Sequence, residues 1–337
     1  VGSKMSENAE VRNKDGVGIV ISGHEQIKPQ KDPYDTYAVL EFNRGKNFFN
    51  HYQFEAAIQN FKEAEAKLDD GELKDLAKFY IKLVNFYQKW DKFNDRIEIY
   101  NEKLDKIESF KLPSYFYKEI IQKCPNELLN NDFDNSEEFI NQLNNNLEFL
   151  RLKIRNNQKE AMKYYLPDLL NNAHRKIEEG FFDDAVARLY RAIELIAQVS
   201  LNSHDLIDVE KFKNHKVFHI NRKQFKTQTK FDPEIPKMIQ NWNIKEYEDR
   251  DKTFKVPKDK SYKILEAFGE DLAKKYFADE RLKNAVNKRN DSILAHGLNP
   301  MNKKDAEDLY NRVLYYSKFF WVDIEKYMKM AEFPKFK

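Results

Sequence analysis

Cysteine is almost missing from this chain of 337 residues: Cys124 stands alone. A lone thiol excludes an internal disulfide framework and suits a reducing compartment, so a cytoplasmic protein is expected. Glycine is scarce too, nine residues in all. None of them builds the Gly-rich loop that cradles phosphates or the elbow that presents a nucleophilic serine. No apolar run approaches the ~20 residues of a membrane span, and the opening VGSKMSENAE has no apolar core of a secretory signal. Neither charge dominates: 58 Lys and Arg against 56 Asp and Glu leave +2, too little field to draw in a polyanion from a distance. Any nucleic-acid site must be local, and no membrane partner is expected.

Aromatic residues are plentiful, with 26 Phe and 18 Tyr, so the apolar content comes from flat side chains that each bury a large area. The length suits roughly two or three domains. The chain starts at Val1, and VGSK reads either as an added leader before Met5 or as the continuation of a longer protein.

Residues 17–28, VGIVISGHEQIK, read as a β-hairpin: a β-branched run, a Gly turn and a second short run. A lone hairpin is marginal in water, so it reads as the end of a domain whose front is missing. From Pro33 to about residue 200 the pattern is helical. FEAAIQNF from Phe54, FNDRIEIY from Phe93 and FDDAVARL from Phe182 each carry apolar residues at i, i+4 and i+7, one stripe along a helix. Helical hairpins in the manner of tetratricopeptide repeats are expected, at irregular spacing. The Asn-rich stretch 124–157 keeps Phe139, Leu143, Leu147 and Leu150 at helical spacing, with a helix start at Asn135-Ser136. Residues 201–260 break the period and read as a large loop or insertion. Helices are expected again in SYKILEAFGEDLAKKYF, in ERLKNAVNKRNDSILAH and in the segment DAEDLYNRVLYYSKFFWVDIEKYMKM, whose dense Phe/Tyr stripes read as core. The expected division is 1–33, the end of an earlier domain; 34–165, helical hairpins; and 166–337, a helical bundle interrupted at about 201–260.

The stretch KRNDSILAHG holds the candidate chemistry. At ~100° per residue, the seven steps from Arg289 to His296 come within about 20° of two full turns, so on one helix both side chains face the same way. Gly297 and Pro300 place His296 in the last turn, where the helix dipole favours its protonated form. Arg289 can grip a phosphate by two hydrogen bonds. Such a pair suits RNA, which brings its own nucleophile in the 2′-hydroxyl and needs no metal. A single histidine is half of an acid/base pair, and a symmetric dimer would supply the other half. The plain alternative is a solvated Arg289 beside a helix-capping His296.

The segment RNDSILAH resembles the mark of the HEPN superfamily of helical ribonuclease domains: Arg289, a polar residue at Asn290, and His296. Together with FFDDAVARLYRAIELIAQ, residues 181–198, it is similar to the CRISPR-associated CARF–HEPN proteins of type III systems, accessory ribonucleases of antiviral defence. The N-terminal 45 residues resemble the junction where CARF ends and a helical linker begins. The resemblance implies a mainly α fold, with a TPR-like helical-hairpin linker, a HEPN bundle and a short β-hairpin remnant of CARF. It implies a homodimeric endoribonuclease acting on single-stranded RNA, with Arg289, Asn290 and His296 as its catalytic residues. No metal or cofactor is implied, and cyclic oligoadenylate would act as an allosteric activator through CARF. Arg188, Arg191 and Glu194 fall on the neighbouring helix, where they would orient the site or contact RNA. Arg191 and Glu194 could equally form a plain i, i+3 ion pair.

His215 and His219 have the i, i+4 spacing of a metal pair if helical, but no third ligand keeps register, so a loop with two ordinary histidines is preferred. KFKNHKVFHINRKQFKTQTKF interleaves basic residues with Phe, as single-strand binding surfaces do, or is a basic loop over buried rings. A reading of another class is a catalytically silent helical scaffold that binds RNA or a protein. Turnover of RNA separates the two.

Overall fold

Phe54, Ala57, Phe61 and Ala64 recur at helical spacing, and the helix they define, Phe54–Lys67 (α2), buries all four. It pairs with Val39–Asn50 (α1) and Glu72–Asp91 (α3). In the computed structural model, which describes residues 2–3, 27–28, 37–94, 96–101, 106–125, 136–153, 158–228, 253–290, 292 and 297–337, these helices begin a mainly α fold. The contact of α1 with α2 is close because Gly45 has no side chain. A Cβ there would stand 2.6 Å from Phe61 Cε1. Gly45→Ala should therefore destabilise the chain by about 1–3 kcal/mol in a thermal melt, although alanine favours a helix by ~1 kcal/mol. A rise in melting temperature would show that the Phe61 ring yields freely.

The Phe93 stretch is a correction. Phe93 takes a left-handed φ of 52°, ends the turn after α3, and Arg96–Asn101 (β3) pairs antiparallel with Lys106–Lys111 (β4). The isoleucines at 97 and 99 alternate with polar residues, a period of two that outweighs the i, i+4, i+7 coincidence. A short helical turn at 112–121 follows, and then Ser136–Lys153 (α4), which buries Phe139, Leu143, Leu147 and Leu150 as the spacing predicts. At the N-terminus Gly2–Ser3 (β1) pairs with Ile27–Lys28 (β2). The rest of the expected hairpin lies outside the described residues.

Tyr165–Glu178 (α5) and Phe182–Ser203 (α6) form a helical hairpin. Gly180 makes the turn at φ 82°, where a side chain would be strained. Around α6, apolar on most sides, pack Lys258–Ala267 (α7), Glu280–Asn290 (α9) and Lys303–Phe320 (α10), while Asp271–Ala278 (α8) joins through α7 and α10. The 201–260 excursion is more than a surface loop. Phe212 and Phe225 on its short helices, with Ile220 and Phe254 on the ladder Ile220–Asn221 (β5) and Thr253–Phe254 (β6), are buried in this second core. Residues 229–252 lie outside the described residues.

Beyond Ile324–Met330 (α11) the tail returns to the first core. Ala331, Phe333 and Phe336 are buried among α1–α4, and Phe336 sits edge-on to Tyr80 at 4.9 Å. Buried ion pairs join the two cores. Asp168 on α5 accepts from Trp90 Nε1 at 2.9 Å and from Lys153 Nζ at 2.5 Å. Asp91 accepts from Arg175 Nε at 2.8 Å and from Asn172 at 2.7 Å. Burial alone would raise the Asp91 carboxyl, but Arg175 and Lys176 more than offset it and hold it below the usual carboxylate range. Among the described residues, no helix is long and apolar enough to cross a membrane.

Candidate functional site

Leu282 and Val286 are buried on α9, and Arg289 follows them at i+7 and i+3. Arg289 thus falls on the inward stripe of its helix, half-buried, and is not a solvated surface ion. Its guanidinium lies 4.4 Å from the centre of the Tyr190 ring on α6. Lys288, one residue earlier, points the other way and pairs with exposed geometry to Asp305 at 2.6 Å.

Tyr190 and Glu194 are one turn apart on α6, and Glu194 feels Arg191, Lys258 and Arg289 together. Burial pushes the Glu194 carboxyl above its ordinary value, and the three cations recover only part of that. Burial likewise raises the Tyr190 phenol, with Glu194 adding to it and Arg289 opposing it. Lys258, its side chain only 6% exposed in the first turn of α7, contacts the Tyr276 hydroxyl and pairs with Asp259 at 2.9 Å. Tyr276 donates to Asp259 at 2.6 Å and stacks on Tyr262 at 3.7 Å between centres. Lys258 is also 5.3 Å from the Tyr190 ring centre. Tyr190 therefore carries two cations, Arg289 and Lys258, against its π system.

The structure brings Arg191 and Glu194 to this cluster and joins them at 3.4 Å, the i, i+3 pair anticipated from spacing. It does not bring Arg188. That guanidinium turns to Asp184 at 2.8 Å and to Asn172, tying α6 to α5. Asn290 closes α9; its side chain and all of His296 lie outside the described residues. The expected single helix through both motif residues does not hold. Ser292 is bridged to Asn299, and its N–H meets Arg289 O at 3.0 Å in a turn. Short polar residues such as those of the sequence at 290–292 favour helix ends, because such side chains compete for the backbone.

Tyr190, Lys258, Asp259 and Tyr276 went unnoticed in the sequence. Tyr190 stands inside the quoted α6 segment, one residue from Arg191, and its i+4 spacing to Glu194 was the available signal. Nothing local marks Lys258 or Tyr276. His215 ends the short helix Val209–His215, while His219 is buried beyond it with Nδ1 3.0 Å from Thr253 Oγ1, so the two histidines do not share a helix face. Among the described residues no three His, Cys, Asp or Glu side chains converge as metal ligands.

The helical bundle that carries this arginine is similar to a known domain. Residues 154–320 match the family model of the Csm6 HEPN domain. The matched part of the chain is similar to this CRISPR-associated HEPN domain, and it contains Arg188, Arg191, Glu194, Arg289, Asn290 and His296. No curated protein matches the chain.

Proposed function

We propose that the chain is a metal-independent endoribonuclease that cleaves single-stranded RNA in type III CRISPR defence. Arg289, Asn290 and His296 form its site, completed in a homodimer. The observation that carries this reading is the placement of Arg289. A cation is drawn onto the buried stripe of α9 and held by an aromatic face in a domain of the HEPN family, where a merely solubilising arginine would point to water. In the reaction, one His296 takes the proton of the 2′-hydroxyl as its oxygen attacks phosphorus. The P–O5′ bond breaks, and His296 of the partner subunit gives a proton to the leaving 5′-oxygen. Arg289 stabilises the charge on the phosphoryl oxygens, and the products are a 2′,3′-cyclic phosphate and a 5′-hydroxyl. Cyclic oligoadenylate would govern this activity through a CARF domain.

Tyr190 positions Arg289 in this scheme. Tyr190→Phe keeps the ring and should leave kcat within about twofold, whereas Tyr190→Leu removes a contact of about 0.5–2 kcal/mol and should lower kcat by roughly 2–30-fold with KM little changed. Equal rates for Leu and Phe at position 190 would remove Tyr190 from the site. The reading as a whole is tested by turnover of a fluorescent single-stranded RNA together with the mass of the particle in solution.

A further inference from the structure

The groove between α9 and α10, about 530 Å³, sets its cations against Asp305 and Asp308. Another cavity has no carboxylate in its wall. It measures about 490 Å³, and Arg191, Gln198, Lys216, Phe218, His219 and Lys255 line it together with short apolar segments. The β5–β6 ladder builds it. Ile220 pairs with Phe254 and Asn221 with Thr253, so the residues just before β5 and just after β6 lie side by side. This brings 216–219 next to 255–257, although most of the residues between them belong to the excursion. Arg191 and Gln198, two turns apart, present one face of α6 to the same space.

The chemistry of the wall is selective. Lys216 and Lys255 are exposed cations at the rim. Arg191 lies 5.5 Å from the Phe218 ring centre. Gln198 Oε1 is buried and accepts no hydrogen bond from any described residue. A buried acceptor left unsatisfied costs ~1–3 kcal/mol, which a ligand donor would recover. Glu194 pairs with Arg191 and also feels Arg289, so the cavity adjoins the candidate catalytic residue through one side chain.

We propose that this cavity holds one nucleotide of a single-stranded RNA. Lys216, Lys255 and Arg191 take its phosphates, Phe218 faces its base, and Gln198 Oε1 accepts from an amino or ring N–H group of that base. Cations beside an aromatic face are the recurring means of holding an unpaired strand. An acidic peptide would satisfy the lysines, and its backbone N–H could meet Gln198, but acidic side chains supply no flat ring for Phe218. The proposal deepens the ribonuclease reading, from which it takes only RNA as the ligand.

The test is anisotropy of a labelled 2′-O-methyl oligonucleotide of about ten nucleotides, which lacks the 2′-hydroxyl nucleophile, bound to the full chain over a range of KCl. The double variant Lys216→Ala, Lys255→Ala should bind about tenfold more weakly and lower the slope of log K against log salt by about 1.4, at ~0.7 per phosphate of a single strand. Gln198→Leu should weaken binding with the slope unchanged. Unchanged affinity and slope in the double variant, with melting temperature retained, overturns the site. Equal affinity for a polyglutamate of matched charge overturns the nucleotide. Cleavage of unmodified RNA is measured separately. If it is absent while binding still depends on the two lysines, the ribonuclease reading fails and this one stands; if it persists while binding ignores them, the reverse holds.

Discussion

His296→Ala is expected to lower cleavage of single-stranded RNA by about 10²–10⁴-fold, the usual range for loss of a positioned proton-transfer group, with the melting temperature and the mass of the particle in solution unchanged. Arg289→Ala should fall comparably, and Arg289→Lys should not restore the rate, because a point-charge ammonium cannot reproduce a planar guanidinium that lies on Tyr190 at 4.4 Å and, in the proposed reaction, would hold a phosphate by two bonds. The arginine variants also lose stability, by about 0.5–1 kcal/mol from the ring contact, small beside the loss of rate. EDTA has no effect when the nucleophile is the substrate's own 2′-oxygen. Full activity in either alanine variant, or loss of activity in EDTA, rejects the assignment and favours a silent scaffold.

Asp168→Ala is expected to be the most damaging substitution for stability. The carboxylate is fully buried and holds two partners, the Lys153 ammonium and the Trp90 indole. Alanine strands a buried charge and a buried donor together, at a cost of about 3–5 kcal/mol. Urea unfolding followed by intrinsic fluorescence measures it. The paired change Lys153→Met, Asp168→Leu should recover most of that loss, since replacing both ions by apolar groups of similar volume is often neutral. A single-variant loss below about 1 kcal/mol would mean that water reaches the site.

Several elements could be read directly from the chain. α2, α4 and α6 follow from apolar residues at 3.6-residue spacing; α4 buries all four residues that spacing selects, while α2 and α6 bury Phe54, Phe61, Val186 and Leu189 and leave Ile58 and Phe182 half-buried. The ion pair of Arg191 with Glu194 is also a local fact, three residues apart. The inward face of Arg289 is local in the same way, since Leu282 and Val286 stand seven and three residues before it. The Phe93 stretch was misread because eight residues can satisfy a helical and an alternating pattern at once, and only the pairing partner at 106–111 decides between them.

Other features have no local trace. The Tyr190–Lys258–Tyr276 cluster joins three helices, and the cavity at Gln198 depends on a two-residue ladder that closes a long excursion. The tail is the extreme case: Asn50 donates to Phe336 O at 2.6 Å across 286 positions of sequence. Periodicity reports which face of a helix turns inward, because side-chain direction repeats with the backbone. It carries nothing about which distant face will meet it, since that choice is made by shape, burial and charge pairing when the helices pack.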